Sequence, residues 1–297
     1  MPDFEKMRSQ MQSGAGFIAA LDQSGGSTPK ALALYGVDAG DYHGEDEMFA
    51  EIQRMRARII QSPDFSSRKV IGAILFEKTL HEQIDGTPVP EHLWASKGVV
   101  PFLKIDKGLA EKAQGAQVLK PIPGLADTLA AASEMGIFGT KERSVIHTAD
   151  ADGIAAVVDN QMAVAAEVIA AGMAPIIEPE VDIHSDSKRA AEELLASALL
   201  DRINGLGDGQ DVMLKLTLPD VAGLYDVLAD HPRVLRVVAL SGGYSTAVAS
   251  EKLAQNHKMI ASFSRALTEG LKRDMSDADF LAALGANIDT IHRASIA

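Results

Sequence analysis

The chain has 297 residues, 46% of them hydrophobic, with 28 Lys+Arg against 41 Asp+Glu and a formal net charge of -13. An acidic chain without a long basic run is poorly suited to nucleic acid or an anionic membrane, so an anionic ligand would need a local basic pocket. No cysteine is present, which excludes disulfides, thiol chemistry and thiolate metal sites.

The start, Met1-Pro2-Asp3-Phe4-Glu5, carries no basic-then-apolar signal pattern. No apolar run reaches the roughly 18 residues of a membrane span, and a cytoplasmic protein is expected. In chain order, short β-type apolar runs fall at 17–21, 70–76, 99–105, 144–146, 174–177, 212–217, 234–240 and 259–263. Between them lie amphipathic stretches at 45–60, 125–135, 154–171, 187–203, 221–230, 244–255 and 264–275. Eight strand-like runs alternating with helices predict an α/β fold: a single (β/α)8 TIM barrel over residues 1–297, with extra N- and C-terminal helices. The alternative, an open doubly wound sheet, lacks a G-x-G-x-x-G at its first strand–helix turn.

A barrel builds its site at the carboxyl ends of its strands. Asp22 follows the first run, then Gln23-Ser24-Gly25-Gly26-Ser27. Lys104, Asp106 and Lys107 sit at the third, Lys141 and Arg143 at the fourth, and Glu178-Pro179-Glu180 at the fifth. Lys215 lies in the sixth, Ser241-Gly242-Gly243 follow the seventh, and Ser264 and Arg265 the eighth. Each has a plainer reading. Asp22 suits a helix N-cap. Lys141-Glu142-Arg143 reads by composition as a charged turn. Glu178 and Glu180, two apart on extended chain, enter one space, where close carboxylates raise one another's pKa and suit general acid/base work.

Lys215, within Val212–Thr217, is the most informative residue. A lysine in apolar surroundings is favoured in its neutral form, and the neutral amine attacks carbonyls. A second lysine and a carboxylate nearby suit carbinolamine formation and dehydration to an imine. Ser241-Gly242-Gly243 with Arg265 reads as a phosphate cradle. No H-x-H or H-E-x-x-H pairing occurs among the eight histidines, so neither metal nor cofactor is expected.

With those residues in view, Ala20-Leu21-Asp22-Gln23-Ser24-Gly25-Gly26-Ser27-Thr28-Pro29-Lys30 resembles the A-D-E-S-T-G-S-x-x-K segment of class I fructose-1,6-bisphosphate aldolases. Asp85-Gly86-Thr87-Pro88-Val89-Pro90, Lys104-Ile105-Asp106-Lys107-Gly108, Lys141-Glu142-Arg143, Ile177-Glu178-Pro179-Glu180, Leu214-Lys215, Leu240-Ser241-Gly242-Gly243 and Phe263-Ser264-Arg265-Ala266-Leu267 follow in the family order. The resemblance, to the shorter bacterial branch, implies a metal-independent lyase on a barrel fold, acting in glycolysis and gluconeogenesis. It implies Lys215 as Schiff-base lysine, Glu178 as general acid/base, Lys141 as an aid to C–C cleavage and Asp22 as a proton-transfer group on the substrate hydroxyls. It implies Lys104, Arg143 and Glu180 as orienting groups, and Ser241, Gly242, Gly243 and Arg265 as ligands of a substrate phosphate. The partner it implies is a sugar phosphate, handled by a homo-oligomer.

Three positions depart from the pattern. Ala31 stands where the animal enzymes have an arginine, which leaves the second phosphate to Ser24, Ser27 or Lys30. The C-terminal Arg293-Ala294-Ser295-Ile296-Ala297 holds no tyrosine, and Leu216 replaces the usual proline. The alternatives are a transaldolase-like lysine enzyme, for which one phosphate suffices, and a non-catalytic binding barrel.

Overall fold

The structure is a computed structural model that describes residues 2–24 and 26–297; Gly25 of the first strand-end turn lies outside them. Eight parallel strands are ordered as in the sequence: β1 (Phe17–Leu21), β2 (Val70–Leu75), β3 (Val100–Lys104), β4 (Gly139–Ile146), β5 (Ala174–Val181), β6 (Val212–Thr217), β7 (Val234–Leu240) and β8 (Met259–Ala261). Each ladders with the next, and β8 lies beside β1 without a ladder, so the barrel is nearly closed. The longer helices are α1 (Phe4–Ser13), α2 (Thr28–Tyr35), α3 (Gly44–Gln61), α4 (Leu125–Glu134), α5 (Ala151–Ala170), α6 (Lys188–Ile203), α7 (Asp226–Ala229), α8 (Thr246–Ala254), α9 (Arg265–Thr268) and α10 (Asp277–Ser295).

Strands covered on both faces read as unbroken apolar runs, and Phe17–Leu21 and Val70–Leu75 are buried at every position. The two faces belong to separate packing layers. Ile18, Ile74, Val100, Phe102, Ile176, Met213, Val238 and Ile260 fill the barrel, while Ala19, Leu75, Leu103, Ile177, Leu214, Leu216 and Ala239 pack outward. Helix α1 contributes Met7 and Met11 to the inner layer and thereby closes the amino end of the barrel. Arg236 of β7 secures it, donating to the carbonyls of Met11 at 2.8 Å and Gly14 at 3.1 Å. At the other end of the chain α10 docks on β8, where Ser295 Oγ accepts the Ala261 N–H at 3.0 Å.

Strands β6 and β7 have the expected bounds. Strand β4 does not: it runs Gly139–Ile146, not 144–146, so Lys141-Glu142-Arg143 is strand and not a charged turn. Gly139 makes this possible, because a Cβ there would stand 2.1 Å from the carbonyl oxygen of Ala174 on β5. Two expected helices are mostly irregular: of 221–230 only Asp226–Ala229 is helical, and of 264–275 only Arg265–Thr268, after which Glu269 turns extended. Helix α2, which α/β alternation alone had not marked, follows the Gln23–Ser27 turn. Helix α5 is long and apolar enough to cross a membrane by length and composition. Here its Ile154, Val157, Val158, Ala165 and Val168 pack into the outer layer.

Candidate active site

The pattern of β6 sets the centre. Met213 faces inward and Leu214 and Leu216 outward, so strand alternation turns Lys215 into the barrel. On β5 the same rule takes Ile176 inward, Ile177 outward and Glu178 inward; on β4 it takes Lys141 and Arg143 inward and Glu142 outward. Lys215 therefore lies within β6, where the sequence places it, and Lys141 lies within β4 rather than ahead of a strand at 144–146.

These side chains meet. Lys215 Nζ is 3.0 Å from Glu178 Oε1, and Lys141 Nζ is 2.9 Å from Glu178 Oε2 and 2.6 Å from Asp22 Oδ2. The cluster holds two cations and two anions and is nearly closed to solvent, with Lys141, Glu178 and Lys215 exposed by 3%, 4% and 4%. Balanced charge is what allows it to be buried, since an unpaired ion in such a place costs several kcal/mol. Burial by itself would raise the pKa of Asp22, but Lys141, Lys215 and Lys104 outweigh it and hold the carboxyl well below the usual range. Burial would likewise lower Lys141, yet Asp22, Glu178 and Asp106 push it well above an ordinary lysine, so it remains a cation.

Around this centre lies a cavity of about 380 Å³. Asp22, Ser24, Ser27, Lys104, Lys141, Arg143, Glu178, Glu180, Lys215, Ser241, Gly242 and Arg265 all line it. Gly243 does not; it borders the adjoining depression shared with Arg265. Glu178 and Glu180 enter the same space, but not as a free carboxylate pair. Glu178 is held by the two lysines, and Glu180 accepts from Arg143 Nη1 at 2.7 Å. Lys104 is turned onto Asp106 Oδ1 at 2.7 Å, whereas Lys107 pairs with Glu77 at 2.6 Å and stands outside the cavity. Ser27 Oγ accepts the Ser24 N–H at 3.2 Å and closes the turn after β1.

The loops are pinned from behind. Thr217 Oγ1 accepts the Val181 N–H at 2.9 Å and donates to the Val181 carbonyl at 2.8 Å, tying the ends of β5 and β6 together. Beyond β6, Lys188 Nζ bridges Glu192, the Leu218 carbonyl and Asp220. Gly242 adopts φ +59°, and a Cβ there would stand 2.7 Å from Ile183 Cγ2, so the turn after β7 requires glycine.

Several lining residues had no role assigned from sequence. Gln23 and Ser264 hydrogen-bond across the rim at 2.8 Å, and Ser262 Oγ is buried with no hydrogen-bond partner among the described residues. Ser262 and Ser264 continue the inward alternation of β8 from Ile260; Ser264 is also marked by its place at the strand end, whereas alternation is the one signal for Ser262. Among the described residues no group of three or more His, Asp or Glu side chains could hold a metal ion. The arrangement offers one buried amine with a carboxylate in contact, a neighbouring fixed cation, and basic and hydroxyl groups on the rim.

Comparison with known proteins bears on this geometry. Residues 5–218 match the family model for fructose-bisphosphate aldolase class-I. The chain is 54% identical to a fructose-bisphosphate aldolase class 1 from Synechocystis sp., covering 99% of this chain and 98% of that protein. It is 49% identical to one from Porphyromonas gingivalis, covering 97% of each. Among solved structures, a fructose-bisphosphate aldolase from Plasmodium falciparum superposes with a TM-score of 0.77 over 99% of this chain and 94% of that one, at 20% identity, a likeness of fold. A match to a family model over residues 5–218, two close relatives over nearly the whole chain and a barrel with a buried lysine pair agree: the chain belongs to the class I fructose-bisphosphate aldolase family.

Proposed function

We propose that this family's reaction, reversible cleavage of fructose 1,6-bisphosphate to dihydroxyacetone phosphate and glyceraldehyde 3-phosphate, runs here through an imine on Lys215. The observation that carries the assignment is the contact of Lys215 with Glu178 at 3.0 Å inside a buried cluster. Attack needs a neutral amine, and Glu178 is placed to take its proton. The amine adds to the ketone carbon to give a carbinolamine. Glu178 then returns the proton to the departing hydroxyl, which leaves as water. The protonated imine draws electrons from the adjacent C–C bond, and Asp22, held ionised beside Lys141, takes the proton of the hydroxyl that becomes the aldehyde. The enamine left behind is protonated, and water hydrolyses the imine to release the ketone fragment and restore the lysine.

Lys141 is the better placed of the two lysines to stay charged, because it contacts two carboxylates where Lys215 contacts one. That asymmetry favours Lys215 as nucleophile and Lys141 as the fixed cation. One phosphate fits at Ser241, Gly242, Gly243 and Arg265, and the other at Ser24, Ser27 and Lys30. Lys104, Arg143 and Glu180 orient the sugar between them. The whole chain works as one catalytic domain in the cytoplasm, and exposed apolar positions such as Leu194 on α6 and Val248 on α8 support self-association.

Borohydride reduction in the presence of dihydroxyacetone phosphate, followed by peptide mass mapping, tests the reading. The expected result is a reduced adduct on the peptide carrying Lys215, formed equally with and without EDTA. An unmodified protein under conditions that label a known Schiff-base enzyme overturns it.

A further inference from the structure

We infer that Arg56 is a positioning residue of this active site, acting through Gln23 to set the spacing of the two walls that hold the ends of the substrate. The inference rests on the aldolase reading above.

Arg56 belongs to α3 and lies on its apolar face with Ile52, Met55 and Ile59, 1% exposed. Its Nη2 donates to the Gln23 carbonyl at 2.6 Å and to Gln23 Oε1 at 3.3 Å, while Nη1 donates to Thr79 Oγ1 at 3.0 Å, on the segment after β2. Gln23 completes the chain: its Nε2 donates to Ser264 Oγ at 2.8 Å. A strut of side chains thus runs from outside the barrel, through the turn after β1, to the residue preceding Arg265. The amide of Gln23 has one accepting and one donating end. Arg56 takes the accepting end, so the donating end is aimed at Ser264.

The chemistry of Arg56 is uneconomical for a purely structural part. Among the described residues it has no carboxylate within ion-pair distance, and a buried cation without a partner is costly where a packed apolar side chain would serve. Burial brings its pKa down to about 10, against the pull of Asp22, so it is charged at neutral pH. The charge lies behind the turn that carries Asp22, Ser24 and Ser27, one wall of the cavity, and the Gln23–Ser264 bond joins that turn to the neighbouring wall that carries Ser241 and Arg265. A ligand anionic at both ends must bridge those walls. A ligand anionic at one end need only engage one of them, and gains little from their spacing.

The test compares wild type, Gln23→Ala and Arg56→Lys on fructose 1,6-bisphosphate and on fructose 1-phosphate, with thermal midpoints and borohydride trapping on each protein. Gln23→Ala leaves Arg56 in place and cuts the link to Ser264; Arg56→Lys keeps the charge and loses the two-pronged grip. Each variant is expected to lose about tenfold or more in kcat/KM for the bisphosphate, mainly through KM, and less than about threefold for the monophosphate. Trapping at Lys215 is expected to persist in both. Equal losses on the two substrates, or no loss on either, overturn the positioning role, and if Arg56→Lys does not fold, Gln23→Ala decides alone. A wild type that neither cleaves the sugars nor traps the ketone overturns the aldolase reading and this inference with it. A wild type that does both, with variants of unchanged selectivity, overturns only the inference.

Discussion

Lys215 and Lys141 share one carboxylate: Glu178 offers Oε1 to the first at 3.0 Å and Oε2 to the second at 2.9 Å. The two amines are distinguished by what else they touch, since Lys141 also holds Asp22 at 2.6 Å. Lys215→Ala should therefore abolish trapping and lower cleavage on the order of 10⁴-fold or more, as removal of a covalent nucleophile does. Lys141→Met should slow cleavage yet leave a trappable amine. Single-turnover rates and mass mapping of both variants check this, and a Lys215→Ala protein that still traps on Lys141 would reverse the assignment.

Glu178→Gln keeps the shape of the side chain and removes its basicity. A loss in kcat of about 10² to 10⁴-fold is expected, the usual contribution of a positioned acid/base. Because two buried lysines would then face Asp22 alone, a lowered thermal midpoint should accompany it. A variant with wild-type kcat would remove Glu178 from the proton-transfer steps.

Glu142 carries a pH signature. It is fully buried on the outward face of β4, with no hydrogen-bond partner for either oxygen among the described residues. Burial first, then Asp106, raises its pKa well above 4.5. A carboxyl protonated when folded and ionised when unfolded stabilises the fold below its unfolded pKa, and that stability falls as pH rises toward the folded value. The limiting slope is about 1.4 kcal/mol per pH unit. Glu142→Gln should remove this slope, so the variant gains on wild type as pH climbs from about 5 to 7. Denaturant midpoints at several pH values read it directly; parallel curves for the two proteins would refute it.

Thr217→Val is a test of the joint between β5 and β6. It would strand both the N–H and the carbonyl of Val181 in a buried setting, at a cost of about 1–3 kcal/mol. Because β6 carries Lys215 and β5 carries Glu178, kcat should fall along with stability. A stable variant with wild-type turnover would show that the strands hold their spacing without the threonine.

Much of the barrel is legible because doubly covered strands must be apolar throughout, as in Val70–Leu75. Strand β4 escapes for the same reason inverted: three of its eight residues, Lys141, Glu142 and Arg143, are charged. Inward positions there belong to the site, and Glu142 is an outward acid whose pKa burial pushes well up, so hydropathy misreads them all. Individual site residues were legible because strand ends collect chemistry, and twelve of the thirteen named from sequence line one cavity, Gly243 excepted. Arg56 was not legible. A charged residue on an amphipathic helix reads as a solvated one, and only the fold reveals that it points inward toward Gln23.

The inner layer has one more consequence, in the traffic of reactants. With Met7 and Met11 of α1 seated in its amino end, the barrel is a well and not a tunnel. Whatever enters past Ser24 and Arg265 must come out by the same rim, so the two fragments of a cleaved sugar leave one behind the other. The fragment tethered to the lysine is last in that queue, and a slow exit of the first would hold the second in place, ready to be joined to it again.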